Sequence, residues 1–423
     1  MESRLEKESV KNPGLHFFQG QSDYFKENSI DIDGNEGDNK KKEAVKAKIM
    51  EFFNMKNVCF LFGSGTSCPS IPNMSVLFGA VKKEIENTTN ERYKRSFNQI
   101  NIQAKGNLEE ILGILISGLS YINGFPSNKY KNLRESATKL IRLIEKTIYD
   151  KINIKFDTAE QKKVLEYYKT FYQKLALRNK DLSRICVFTT NNDLYNEMAM
   201  DSLNIHYVNG FSGGITKHFN PAMFNYTYSK RMDVSIDKYE PVENMVYLYK
   251  IHGSVNWIDA NDNGNNFFSI QELRHTEEFN AKNILIYPTP TKQNKSLGAP
   301  YVDLFREFQH RLLEPNTVLF VIGYSFSDEH VNDIIYRALA TNTTFNVVVI
   351  NEIGNDKPIA KIDDKRIFRL WGKEISEDGQ VKEIHHFDYI VNNWLPNLNA
   401  FAQESKVLDD FVNQLKKITK PRK

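Results

Sequence analysis

Cysteine is scarce in this chain of 423 residues: only Cys59, Cys68 and Cys186 occur, and no two form a CxxC pair. That excludes a disulfide framework and leaves no ligand set for a zinc ribbon. Cys59 and Cys186 sit in apolar runs and read as core thiols, in keeping with a reducing, cytoplasmic setting. An excess of one charge is missing too. The 56 basic residues meet 53 acidic ones, for a formal net charge of +3, so nucleic acid is not indicated as the primary ligand. No apolar run approaches the roughly 20 residues that span a bilayer. The opening MESRLEKESVKN lacks the apolar segment of a secretory leader, and no membrane association is expected.

What is present suits a globular protein with a sizeable core: 40% hydrophobic and 26% charged residues. Residues 1–40 are polar, end in DIDGNEGDNKKK, and read as a flexible or partner-ordered arm. Within it, GLHFFQG (14–20) is an aromatic patch able to dock on something. A helical stretch leads into the apolar strand Val58 to Phe62. From about 75 to 180 the pattern is helical, with stripes such as Leu133, Ala137, Leu140, Ile141, Ile144 and Ile148 at spacings of three and four. Strands return at RICVFTT (184–190), NIHYVNG (204–210), NMVYLYKIHG (244–253), NILIYP (283–288), NTVLFVIGYS (316–325) and FNVVVINE (345–352). Continuous apolar strands alternating with helices predict an α/β fold, a Rossmann-like doubly wound parallel sheet with a helical insertion. NDNGNN (261–266) reads as a surface turn and 404–418 as a terminal helix. The expected organisation is an arm (1–40), one domain (41–403, insertion about 75–180) and a C-terminal helix and tail (404–423).

In open α/β sheets ligands bind outside the carboxyl ends of the strands, so the residues after each strand matter most. The first strand is followed by Gly63-Ser64-Gly65-Thr66-Ser67, glycines and hydroxyls suited to approach a phosphate, and equally to a plain tight turn. The strand Ile185 to Thr189 runs into Thr190-Asn191-Asn192-Asp193, polar groups where a ligand would sit or an Asx turn starting a helix. Val246 to Ile251 runs into His252-Gly253-Ser254, an imidazole at the mouth of a buried strand. Val318 to Ile322 runs into Gly323-Tyr324-Ser325-Phe326-Ser327-Asp328, where Ser327 or Asp328 can cap the next helix. The last strand ends in Asn351-Glu352, a polar pair of the kind that reads a ribose or adenine.

The ordered set GSGTS, TTNND, KIHGS, GYSFSDEH and INE, spread over residues 44–372, resembles the sirtuin family. The resemblance implies NAD as the ligand. Gly63, Ser64, Gly65, Thr66 and Ser67 match the dinucleotide phosphate loop. Asn191 and Asp193 match the groups around the nicotinamide ribose and the carboxamide, and His252 matches the catalytic base. Gly323 and Ser325 match the phosphate-side turn, and Asn351 the adenosine-side contact. The departures are as informative. Residues 253–322 hold no cysteine, so the four-cysteine zinc ribbon of deacylating sirtuins is absent. Ile71-Pro72-Asn73-Met74-Ser75 stands where sirtuins read IPDFR.

This pattern is similar to the sirtuin-like NAD hydrolases of bacterial antiphage defence, with GNLEEILGIL (106–115) and ILIYPTPTK (284–292) as further points of likeness. The resemblance implies hydrolysis of NAD as substrate, with His252 and Asn191 catalytic and no metal. It further implies homo-oligomerisation and a separate partner, a HerA-type ATPase or, alternatively, a short Argonaute-like protein. GLHFFQG and FDYIVNNWLPNLNAF (387–401) are the candidate contact surfaces, and each also reads as packing on the core. The competing functions are protein deacylation or ADP-ribosylation, and a non-catalytic module that binds NAD or ADP-ribose.

Overall fold

The computed structural model describes residues 14–30, 35–125, 128–176, 178, 181–233, 238–242, 244–260, 269–274, 279, 283–285, 300–375 and 379–395. The readings at 261–266 and 404–418, and most of 284–292, lie outside these residues.

A 10-stranded sheet organises the chain. Its strands are β1 (Leu15–Gln19), β2 (Ser22–Asp23), β3 (Asn57–Phe62), β4 (Ile185–Thr189), β5 (His206–Val208), β6 (Met245–Lys250), β7 (Thr317–Ile322), β8 (Asn346–Ile350), β9 (Ile367–Ile375) and β10 (Val381–Glu383). The order is β2-β1-β9-β8-β7-β3-β4-β6-β5, with β10 pairing β9. From β9 through β5 every pairing is parallel. The sequence therefore predicts the architecture correctly. β3, β4 and β7 are buried at every position, which is why NVCFLF, ICVFT and TVLFVI are continuous apolar runs, with polar residues only at their ends (Asn57, Thr189 and Thr317), rather than alternating ones.

The chain leaves β3 toward β4 and later returns to β3's other side as β7. That reversal is a topological switch point, and it opens a crevice between the carboxyl ends of neighbouring strands.

Helices cover both faces. Helices 74–87, 91–104, 108–123 and 131–152 form the insertion and bury Leu77, Val81, Phe97, Ile111, Ile144 and Ile148 in a shared core. Asn73 caps the first of them by accepting from the Val76 amide at 3.1 Å. The position that departs from IPDFR thus starts a helix. Leu133, expected in the buried stripe, is exposed.

Helix 159–175, also read as part of the insertion, lies on the sheet instead. It begins at a Thr158–Gln161 capping box, and Phe171 meets Phe60 and Phe62 edge-on with ring centroids 5.0 Å apart. Burying such rings contributes about 1.5–3 kcal/mol each.

Two expectations change, the arm and the strand at 283–285, and the two candidate contact surfaces take the packing reading in part. Residues 14–30 are not a free arm: β1 adds antiparallel to the edge strand β9, Phe17 is buried, and helix 35–53 starts within the stretch read as arm. GLHFFQG therefore docks on its own sheet. In the second candidate contact surface, Phe387 and Trp394 are likewise buried in the core. The strand within NILIYP, Asn283–Leu285, joins not the parallel sheet but a separate 5-stranded antiparallel one, next to Gly253–Asp259. Among the described residues no helix is long and apolar enough to cross a membrane.

Candidate active site

The carboxyl ends of β3, β4, β6 and β7 open into one cavity of about 700 Å³, within the roughly 300–1,000 Å³ usual for small-molecule sites. Of the residues singled out in the sequence, Ser64, Ser67, Asn191, Asp193, His252, Gly323 and Ser325 line it. The opposite wall comes from the insertion: Leu77 and Phe78, Lys105 to Asn107, and Ile148 with Ile152.

The GSGTS loop is a 3-10 turn locked to the turn after β7. The Gly65 amide donates to the Gly323 carbonyl at 3.0 Å. A Cβ on Gly63 would lie 2.5 Å from the Gly323 oxygen, and one on Gly65 2.7 Å from the Gly323 Cα. Gly323 has φ +64, and its own Cβ would meet the Thr66 nitrogen at 2.7 Å. The glycines are thus required first by the contact of two backbones. Ser64 and Ser67 join the lining; Gly63 and Thr66 are buried outside it and Gly65 is exposed outside it.

Behind that loop lies a buried polar network. Asn191 Nδ2 donates to the Gly63 carbonyl (3.0 Å), Thr66 Oγ1 (3.1 Å) and Ser67 Oγ (3.1 Å). With Nδ2 engaged, Oδ1 is the Asn191 atom left for a ligand. Ser67 Oγ donates to Asp193 Oδ2 at 2.7 Å, and the Tyr168 hydroxyl stands 2.7 Å from Thr66 Oγ1 and 2.9 Å from Ser67 Oγ. Burial raises the Asp193 carboxyl above its ordinary value; the nearby Lys250 ammonium and the Ser67 hydrogen bond hold it down against that.

His252 follows β6. The next residue, Gly253, has φ +84, a conformation L side chains rarely adopt, and here the chain leaves the parallel sheet for the antiparallel one. The turn is stapled to the β4 loop: Asn192 Nδ2 donates to the His252 carbonyl at 2.7 Å, and the Val255 amide to the Asn192 carbonyl at 3.0 Å. Beneath both loops Lys250, 1% exposed, donates from Nζ to the Asp193 carbonyl (2.5 Å) and Ser254 Oγ (2.7 Å) and pairs with buried Glu197 at 3.0 Å. His252 Nε2 lies 2.9 Å from Asp328 Oδ2, and both side chains are buried.

Asn351 falls outside the lining; its Nδ2 donates to the Tyr324 carbonyl at 3.1 Å and braces the β7 turn. Sequence reasoning misses Lys250 and Tyr168, places Asn192 at the strand end without a role of its own, and gives Asp328 only a capping role. A lysine closing an apolar strand is a signal for Lys250. Nothing local distinguishes Tyr168 from the packing residues of its helix.

Part of the chain is similar to a known family, the SIR2-like domain. The family model matches residues 185–370, from β4 into β9, so it includes Asn191, Asp193, His252, the β7 turn and Asn351. The GSGTS loop lies before the matched span. A solved structure described as "Structural Basis for the Mechanism and Regulation of Sir2 Enzymes" aligns over 83% of this chain and 97% of its own, at 11% identity and a TM-score of 0.35. That superposition is too loose to set residues against one another. No curated protein matches the chain. The strand ends that carry the imidazole, the amide and the carboxylate fall within the matched span.

Proposed function

We propose that this chain hydrolyses NAD, releasing nicotinamide and yielding ADP-ribose. The observation that carries the reading is that His252, Asn191 and Asp193, from two strand ends, line one cavity with Ser64 and Ser67 of the GSGTS loop, within or beside a SIR2-like domain.

The bond between nicotinamide and ribose breaks with positive charge developing on the sugar and its electron pair leaving on the nicotinamide nitrogen. A preorganised, largely water-free site favours that charge distribution. Asp193 accepts from the carboxamide of the leaving group. Asn191 Oδ1 orients the ribose or the incoming water. Water adds at the vacated carbon, and His252 takes the proton, from that water or from a ribose hydroxyl, and passes it to solvent. The exposed Ser64 and Ser325 hydroxyls, with the amides of their turns, are the groups offered to the pyrophosphate.

The defence role belongs to the same proposal. An enzyme that empties the NAD pool must be held off until needed, which points to assembly with copies of itself and a separate partner, for which a HerA-type ATPase is the first choice. In the two candidate surfaces Phe17, Phe387 and Trp394 are taken up by the chain's own core, which leaves the exposed His16, Asn392 and Asn393 for such contacts. Sedimentation tests this part: a strict monomer with full constitutive activity contradicts it. The reaction is tested by incubating the pure chain with NAD and following products. Nicotinamide and free ADP-ribose in equal amounts are expected; ADP-ribose attached to protein, or deacylation of a lysine peptide, would point to the competing reactions.

A further inference from the structure

We infer that Asp328 is the positioning residue for His252, and that it does so while serving as the N-cap of the following helix. The inference rests on the NAD-hydrolase reading for its kinetic consequences, but the contact stands on distance and burial, at ion-pair range and without hydrogen-bond alignment.

The two carboxylate oxygens face different groups. Oδ1 accepts from the backbone amides of His330 (2.9 Å) and Val331 (3.3 Å) and so caps helix 329–341. Oδ2 stands 2.9 Å from His252 Nε2, with the side chains only 8% (His252) and 7% (Asp328) exposed. A surface pair at this distance contributes little, because water screens it and both side chains lose freedom. Here neither condition holds. Asp328 is already fixed by its cap bonds, and the pair is largely removed from water.

The cap itself is held in register by a buried network. The Tyr324 hydroxyl donates to the Asp328 carbonyl at 3.2 Å and lies 3.0 Å from Asn332 Oδ1, while Asn332 Nδ2 donates to the Phe326 carbonyl at 3.1 Å. The start of the helix therefore sets where Oδ2 sits, and so places a carboxylate beside the imidazole. When His252 takes a proton, the cation forms beside a carboxylate that needs no rearrangement to meet it. The proton stays on the imidazole; Asp328 orients and stabilises.

Capping and positioning can be separated, because Ser and Asn cap about as well as Asp but carry no charge. We expect Asp328→Ser and Asp328→Asn to keep the wild-type melting temperature within a few degrees. Both should lose kcat roughly 10- to 100-fold with KM changed far less. ¹⁵N spectra of His252 should show an altered ring tautomer in both variants. Variants that fold and turn over within threefold of wild type would overturn the assignment. Should the wild-type chain leave NAD intact, the functional reading fails first; the His252 ¹⁵N signature then decides the contact alone, and an unchanged signature in Asp328→Asn refutes it.

Discussion

The two walls of the cavity are built on opposite principles. The sheet wall is polar, buried and cross-braced: Asn191, Ser67, Asp193, Lys250 and Asn192 are joined by hydrogen bonds of 2.5–3.4 Å. The helical wall is mostly apolar and depends on side-chain packing, with Leu77, Ile148 and Ile152 buried in the insertion core. A polar network in low dielectric fails when one member is removed, because its partners stay buried without bonds. An apolar wall yields by degrees. The chemistry is therefore expected to depend on the sheet wall and the fit of substrate on the helical one.

The sharpest contrast comes from Lys250→Met. It removes the cation from beneath both loops and leaves Glu197 buried without its partner, so a loss of about 3–5 kcal/mol is expected, read from denaturant unfolding. A loss under about 1 kcal/mol would show that the charge is not needed to hold the loops. Gly323→Ala comes next. Its Cβ would press on backbone atoms 2.7–2.8 Å away, at a positive φ, and about 1–3 kcal/mol of stability should go with it, together with weaker NAD binding by calorimetry.

On the other wall, Phe78→Ala removes a half-buried ring from the lining. KM for NAD should rise up to about tenfold with kcat nearly unchanged, since an apolar contact of this kind contributes about 1 kcal/mol to binding ground and transition states alike. A collapse of kcat would erase the distinction between the walls.

The smallest effect is one of pH. Burial raises the Asp193 carboxyl in the folded state. The native chain therefore holds that proton to higher pH than the unfolded chain, and stability falls as pH rises from the ordinary carboxylate value through the raised one. Burial raises Glu197 in the same direction. Asp193→Asn should flatten this acid-side slope in melting temperature without abolishing it, because Glu197 remains. A slope identical to wild type would place the Asp193 titration elsewhere.

The difference between the walls also explains how much is legible in the sequence. Strands buried on both faces leave unbroken apolar runs, and the polar residues that end them mark the crevice, so His252 and the stretch Thr190 to Asp193 stand out from the amino-acid pattern, while the resemblance singles out Asn191 and Asp193 within it. β1 does not, because a short strand at a sheet edge carries a weak pattern. The antiparallel sheet is hidden because pieces such as Phe211–Ser212 and Ile270–Glu272 are too short to show alternation. The pairing of His252 with Asp328 joins residues that only the crossover around β3 brings together, and no local spacing announces it. The glycines of GSGTS stand out for one reason, approach to a phosphate, and are needed also for another, the contact with Gly323.

The central claim is that the imidazole at the end of β6 serves cleavage of NAD. It is tested most directly by mixing NAD with an excess of the pure chain and following nicotinamide release over a single turnover, for wild type and for His252→Ala shown to be folded by its melting temperature. The account predicts nicotinamide and ADP-ribose in equal amounts from wild type, and a loss of about 10²-fold or more in rate for the variant. Equal rates from the two proteins, or NAD left intact by wild type, would contradict it.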